Sequence, residues 1–426
     1  MDDVQSVAAA REPVTTAVAR LYDTYPFPPE PLLDEPPPGY NWRWYWPTVH
    51  SFCTGAKPAD NQVRVLDAGC GTGVSTEYLA HLNPAATVLG IDLSGQALAT
   101  ATERCRRSQA TNASFRHLSL YDVDQLPGQF DWINCVGVLH HLPDPLAGLQ
   151  ALAGKLAPGG FIHLFVYAAI GRWEISLMQR AIALVQGDRR GDYRDGVAVG
   201  RQLFASLPPE NRLKQREQQR WSLENQRDEC FADMYVHPQE VDYTMDMLFE
   251  LIEGSGLEFV GFSNPGVWRL ERLLGADPAL LQRAQALPEW DRYRLVSLLD
   301  PEITHFEWFL AKPPRPRWDW SQGDQLLTAR VERNPCMEGW PSQRIFNHNY
   351  EMVTLSAVEF EVLQACDRAN FPPEGGTGEI SSMTGAELLA TTQASLADLA
   401  RMQENQLILV MLEPGSLDQP QKTLTS

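Results

Sequence analysis

Lysine is scarce in this chain, with 5 residues against 30 arginines among 426. Lysine and arginine together number 35 against 54 acidic residues, a formal charge of −19. That deficit of cations argues against general nucleic-acid binding, which needs basic side chains to displace counterions, and against an anionic membrane surface as main partner. Paired cysteines are missing too. None of the seven (Cys53, Cys70, Cys105, Cys135, Cys230, Cys336, Cys366) sits in a CxxC pair, and no His/Cys cluster has zinc spacing. A disulfide framework or structural metal is therefore not expected, and free thiols suit a reducing cytosol. Long apolar runs are absent: the longest, around 161–170, falls short of the roughly 20 residues that cross a bilayer. The start, Met-Asp-Asp-Val, has neither a basic n-region nor an apolar h-region. A cytoplasmic protein without membrane insertion is the expectation.

What is present is globular composition, 44% hydrophobic and 21% charged. At about 150 residues per domain, the length suggests two or three domains. A helix over Ala17–Tyr25 ends at Pro26. From Pro26 to Pro47 there are eight prolines and the aromatic run Tyr40-Asn-Trp-Arg-Trp-Tyr-Trp46. Proline fixes the backbone without inner hydrogen bonds, so residues 1–55 read as an ordered wrap or lid. Its aromatics either glue the wrap down or line a site.

The pattern then alternates. Strands are expected at Arg64–Ala68, Thr87–Asp92, Phe115–Ser119, Trp132–Val136 and Phe161–Tyr167. Helices are expected at Val74–His81, Ser94–Gln109 and Asp144–Leu156. Such alternation indicates a doubly wound α/β sheet. Polar helical sequence over 168–242, with an exposed helix at Glu210–Arg227, reads as an insertion. The rhythm resumes over 243–316, with strands at Leu257–Phe262 and His305–Ala311, and ends in a proline linker. Residues 317–426 read as a small α+β, winged-helix-like domain, with Ser356 capping a helix, a Gly-rich loop and a final strand at Leu407–Leu412.

The strongest chemical signal is Val63-Arg-Val-Leu-Asp-Ala-Gly-Cys-Gly-Thr-Gly73. A buried strand runs through Asp67 into Gly69, Gly71 and Gly73 and straight into a helix. Glycines let the chain turn sharply and let backbone approach a ligand. Asp92, at the end of the next strand, stands where an acid accepts both ribose hydroxyls. A dinucleotide site would read GxGxxG and face a pyrophosphate. Here the spacing is GxGxG, two residues after an acid that repels phosphate and suits an ammonium group, directly or through water. The pattern favours a nucleoside bearing an amino acid.

These pieces resemble the class I S-adenosylmethionine-dependent methyltransferases. The resemblance rests on Asp67-Ala-Gly-Cys-Gly-Thr-Gly73, Gly90-Ile-Asp-Leu-Ser94, Tyr121-Asp-Val-Asp-Gln-Leu-Pro127, Phe130-Asp-Trp-Ile133 with Gly137-Val-Leu-His-His-Leu-Pro-Asp144, and Leu156-Ala-Pro-Gly-Gly160. Together they span residues 60–167, the expected cofactor core. The resemblance implies a Rossmann-like seven-stranded sheet with S-adenosyl-L-methionine as cofactor. It carries Asp67, Gly69, Gly71 and Gly73 to the methionine loop, Asp92 to the ribose, Leu93 beside the adenine, and Asp122 with Val123 at the adenine edge. Cys135 falls where the methionine end is exposed, with His140 and His141 just beyond. Tyr22-Asp-Thr-Tyr-Pro-Phe-Pro28 resembles lid segments of that family, and Tyr25 is placed to reach the cofactor carboxylate.

Asp233-Met-Tyr-Val-His-Pro238 resembles a segment of a subset of these enzymes. If extended, it presents Asp233, Tyr235 and His237 on one side as acceptor-pocket residues able to take a proton; a latch between insertion and core is the alternative. Trp42, Trp44, Tyr45 and Trp46 are candidates to hold a cation by its face. The whole layout resembles bacterial, including cyanobacterial, protein-lysine methyltransferases. It implies a lysine-bearing protein as acceptor; low lysine content follows either from genome composition or from an enzyme that spares itself. A small-molecule acceptor (natural product, quinone or pigment precursor) and a non-enzymatic cofactor-binding regulator remain open. No Asn-Pro-Pro-Tyr motif is present, which disfavours methylation of base amines. Residues 321–426 hold 14 acids against 6 bases, a charge of −8, and so a candidate docking face for a basic protein.

Overall fold

The computed structural model describes residues 2–313, 318, 320, 323–370 and 382–412. The chain divides into two compact units, residues 1–37 with 63–313, and residues 38–62 with 314–426. This division moves part of the expected lid. The segment 38–55, with its aromatic run, belongs to the second unit.

The first unit is built on seven strands: β1 (Arg64–Ala68), β2 (Thr87–Asp92), β3 (Ala113–His117), β4 (Phe130–Val136), β5 (Leu156–Tyr167), β6 (Glu258–Phe262) and β7 (His305–Ala311). Their order is β3-β2-β1-β4-β5-β7-β6. β1 to β5 run parallel, and β7 pairs antiparallel with both β5 and β6. Central strands read as near-continuous apolar runs because helices cover both faces. Leu66, Ile133, Ile162, Leu164 and Leu310 are fully buried in one core. Between β1 and β4 the winding reverses, and the loops leaving the carboxyl ends of these two strands diverge. In open α/β sheets that crevice is where ligands bind.

The insertion is helical but broken. Helices Trp173–Gln186, Tyr193–Ser206, Arg212–Arg216 and Asp228–Tyr235 pack around their own core of Ile175, Met178, Ile182, Phe231 and Tyr235. The single exposed helix expected at Glu210–Arg227 does not form. Its chain turns through a π segment, Glu217–Trp221, and a 3-10 turn, Glu224–Gln226. The reason is Glu217, which turns inward to accept from Asn225 Nδ2 at 3.0 Å and from the Tyr235 hydroxyl at 2.5 Å.

The second unit has a three-stranded antiparallel sheet, order β11-β8-β12, from β8 (Arg330–Arg333), β11 (Met383–Thr384) and β12 (Ile408–Met411). A hairpin pairs β9 (Arg344–Phe346) with β10 (Met352–Thr354). Ser356 and Glu359 form the expected reciprocal cap of helix Ala357–Asn370, so Glu359 has a local structural role beside its charge. Trp42 packs against Phe52 and His348, and Trp46 against His50, all within this unit. The faces of these two indoles are taken up by packing, which corrects the expectation that they hold a substrate cation. The Gly-rich loop at 371–381, the linker at 314–316 and the chain after Leu412, on which a winged-helix comparison depends, lie outside the described residues.

Candidate functional site

The loop after β1 is a backbone knot. Gly69 and Cys70 N–H groups both donate to the Ile91 carbonyl, Gly71 N–H to Asp92 Oδ2, Thr72 N–H to the Phe27 carbonyl and Gly73 N–H to the Cys70 carbonyl. All five amides of the loop therefore have internal acceptors. A pyrophosphate cradle needs such donors to be open, so the residues do not fit a dinucleotide. They fit a ligand held by acceptors and by shape, as an adenosyl group joined to an amino acid is.

The glycines answer to the chain itself. A Cβ on Gly69 (φ +81°) would meet Val138 Cγ2 at 2.3 Å, and one on Gly71 (φ +51°) would meet the Phe27 carbonyl oxygen at 2.3 Å. Their absence of side chains lets the β4 loop and an N-terminal strap close on the knot. Thr72 Oγ1 also donates to the Pro28 carbonyl at 2.5 Å, and buried Arg104 gives its guanidinium to the carbonyls of Glu30, Pro31 and Thr72. Ser94 Oγ donates to Asp23 Oδ1 at 2.6 Å. The strap 23–31 thus lies across the cleft, as the lid resemblance implies. Tyr25 instead packs beside the insertion core.

Asp92 stands at the cleft with each oxygen anchored, Oδ2 by Gly71 N–H and Oδ1 by Ser94 N–H, both at 2.8 Å. Burial pushes its carboxyl up, while these N–H groups oppose the shift. Asp67 has a different place from the one expected. It is 2% exposed, and its carboxylate accepts from Ser75 Oγ, Thr76 Oγ1 and Asn134 Nδ2 at 2.6, 2.5 and 2.8 Å. It pins the loop to the next helix and to β4. Leu93 is half-buried and Asp122 is exposed at a 3-10 turn, whereas Val123 is buried in the core. Cys135 is likewise in the core, its thiol pushed far up by burial. Alternation along β4 turns Asn134, not Cys135, to the Asp67 side, so the Cys135 side chain is packed into the core where the cleft was expected.

The loop after β4 joins this cleft to a second site. Val138 touches Gly69, and three residues on His141 stacks on His237 with ring centroids 3.7 Å apart. His140 packs 4.1 Å from both His141 and Tyr167. Gln239 fixes two tautomers. Its carbonyl takes the proton of His141 Nδ1 at 3.0 Å, and its N–H donates to His237 Nδ1 at 3.1 Å. When both rings are neutral, His141 Nε2 is a lone pair and His237 Nε2 a donor. Beside them Asp233 accepts from Tyr22 at 2.8 Å and Tyr167 at 3.5 Å. No described lysine or arginine bridges Asp233. Burial raises its carboxyl, against the pull of His141 and Tyr22.

Asp233 and Tyr167 line a cavity of about 600 Å³ with Phe165, Trp221 and His305, its rim carrying Glu30, Glu224 and Arg227. Arg172, also on the wall, binds Glu240 at 3.0 Å and Asp242 at 3.4 Å and lies over the Tyr167 ring. Tyr235 is not part of this site. The segment is a helix to Tyr235, not extended, so residues two apart face opposite ways. Tyr235 points into the insertion core toward Glu217. Tyr22, Tyr167 and Arg172 were not singled out from sequence, although Tyr22 opens the quoted lid motif and Tyr167 ends the fifth strand.

Two measurements check this geometry. Tyr235→Phe removes one of Glu217's buried donors, so it should destabilise the fold by about 1–3 kcal/mol and leave turnover unchanged. Chemical denaturation and a rate assay test that, and a large loss of rate at wild-type stability would return Tyr235 to the site. For acid stability, burial lowers His141 to about 4 and His140 and His237 well down. The unfolded chain binds these protons near pH 6.5 and the folded chain does not, so stability is present above 6.5 and falls as pH drops toward 4. For His141 alone the loss is about 3 kcal/mol. Raised carboxyls such as Asp233 act the other way, so the readout is a difference. Between pH 7 and 4 the melting temperature of wild type should fall further than that of His141→Gln; parallel curves would contradict it.

Comparisons with known proteins follow the same lines. A family profile described as "Methyltransferase domain" matches residues 66–162. An uncharacterized protein of Synechococcus, syc1184_c, is 59% identical over 405 residues, 95% of each chain. The uncharacterized phycocyanin operon protein W of Pseudanabaena tenuis is 70% identical over 95 residues, 22% of this chain and 90% of that one. A ubiquinone biosynthesis O-methyltransferase of Methylococcus capsulatus is 42% identical over 100 residues, 23% of this chain and 41% of that protein. Among solved structures, PKMT2 from Rickettsia typhi, also solved with AdoHcy, has a TM-score of 0.61 at 16% identity and covers 88% of this chain and 77% of its own.

Proposed function

Since this chain belongs with syc1184_c to one family and is an S-adenosylmethionine-dependent methyltransferase, we propose that it transfers the methyl group to a side-chain nitrogen of a protein, lysine being the acceptor its charge suits best. The carrying observation is Asp233, a buried carboxylate at the wall of an aromatic cavity, hydrogen-bonded by Tyr22 and Tyr167 and bridged by no described cation. An ammonium group entering there meets the Asp233 carboxylate, the Tyr167 hydroxyl and the Phe165 and Trp221 rings. An anionic acceptor would meet the acids Asp233, Glu30 and Glu224 while both wall arginines are already engaged by carboxylates.

In this reading Asp92 receives the ribose hydroxyls, the knotted loop 69–73 lies beneath the methionine part, and the strap covers the adenosyl group. S-adenosylmethionine supplies an electrophilic methyl on a sulfonium. The chain's part is to align the nitrogen, exclude water and remove a proton. A lysine has a reference pKa of about 10.4; desolvation in the cavity lowers it, and Asp233 or the His141 Nε2 lone pair takes the proton. The Methylococcus O-methyltransferase matches 23% of this chain and supports the cofactor more than the acceptor.

The Pseudanabaena relative, a phycocyanin operon protein, makes phycocyanin a first protein to try. Incubation with methyl-labelled cofactor, purified phycocyanin and a size-fractionated cyanobacterial extract tests the reading. Label in a discrete protein band is expected. Label confined to the small-molecule fraction would overturn it.

A further inference from the structure

A line of buried polar groups crosses the sheet from the cofactor loop to the far strands. Asp67 on β1 accepts from Asn134 Nδ2 on β4 at 2.8 Å. Asn134 Oδ1 lies 2.9 Å from His163 Nδ1 on β5, and His163 Nε2 lies 3.0 Å from Glu307 Oε1 on β7. Ser263, just past β6, donates to Glu307 Oε2 at 2.5 Å. Asp67, Asn134 and His163 are at most 2% exposed. Neither the cofactor chemistry nor the acceptor cavity uses Asn134, His163 or Glu307 directly.

The donors and acceptors can be assigned along the line. The Asp67 carboxylate takes three donors, so the Asn134 group facing it is the NH₂. Asn134 then presents its carbonyl oxygen to His163, so Nδ1 carries a proton. Nε2 faces Glu307, which already accepts from Ser263; with Glu307 ionised, Nε2 carries a proton as well. His163 is then an imidazolium held between Glu307 and, through Asn134, Asp67. It also stacks on Phe309, centroids 4.7 Å apart. The same face of β5 and β7 carries Phe165, Tyr167 and His305, which line the acceptor cavity.

We propose that His163 is a positioning residue for the cofactor: as a doubly protonated ring clamped by Glu307, it locks the Asn134 amide and, through Asp67, the glycine loop, tying that loop to the strands that wall the acceptor cavity. Without the ring the Asn134 carbonyl loses the His163 donor, and with it the contact that holds its NH₂ toward Asp67. A Glu307→Gln chain keeps the geometry, because its NH₂ can donate to a neutral His163 Nε2 while its oxygen accepts from Ser263.

The test reads cofactor binding, independently of any acceptor. By calorimetry with S-adenosylhomocysteine, His163→Leu should raise Kd about tenfold or more, while Glu307→Gln stays within about threefold and Glu307→Leu behaves like His163→Leu. At saturating cofactor, kcat of His163→Leu should stay within about threefold of wild type. Wild-type affinity in His163→Leu, or equal weakening by Glu307→Gln and Glu307→Leu, overturns the proposal. If His163→Leu does not fold, nitrogen NMR of ¹⁵N-histidine-labelled wild-type enzyme decides at neutral pH. One buried ring with both nitrogens protonated is expected; a neutral ring at every buried histidine refutes the clamp.

Discussion

Asp92→Ala should raise the Kd for S-adenosylhomocysteine by about 100-fold or more. Two effects add in that variant. The ribose loses its charged acceptor, and the Gly71 and Ser94 N–H groups, both now held at 2.8 Å, lose theirs. Each such loss at a buried site costs about 1–3 kcal/mol, and about 1.4 kcal/mol is a factor of ten. Asp92→Asn keeps one carbonyl oxygen and should fall between wild type and Asp92→Ala. Calorimetry measures both, with thermal melts to show that the variants fold. An unchanged Kd in folded Asp92→Ala would place the nucleoside elsewhere than at the β2 end.

The second large effect falls on the other side of the β4 loop. Asp233→Asn preserves shape and can still accept from Tyr22, but removes the buried carboxylate that faces the cavity beside Tyr167. Turnover should drop about 10²–10⁴-fold, the range for losing a positioned acid–base group, with cofactor Kd within about twofold of wild type. Steady-state kinetics with calorimetry separates the two quantities. Parallel loss of cofactor binding would mean that Asp233 holds the strap through Tyr22 and has no part in chemistry. Retained turnover would remove it from the acceptor site.

The contrast between these two sites also explains what could be read from sequence. The cofactor side is local. Strand, glycines and helix follow within Val63–Leu82, Asp92 ends the next strand, and apolar runs bounded by turns place all seven strands of the sheet. The proposed acceptor side is assembled from distance. Tyr22 and Asp233 are 211 positions apart, and His141 and Gln239 98 apart, so no spacing rule joins them. Period decided Tyr235: alternate residues share a face only in an extended chain, and the local structure is helical. Asp67 was legible as an acid in a motif, but its three donors, Ser75, Thr76 and Asn134, come from a helix turn and a neighbouring strand. The aromatic run 40–46 was legible as apolar mass. Which unit it fills depends on tertiary contacts with Phe52, His50 and His348, and these lie in the second unit.

The most direct measurement is mass-spectrometric localisation of the transferred methyl group after reaction of the full-length enzyme with labelled cofactor and phycocyanin or extract protein. The account predicts the label on a side-chain nitrogen of a discrete protein, with lysine as the expected residue. Label on an oxygen atom, or recovered only in small molecules, would contradict it.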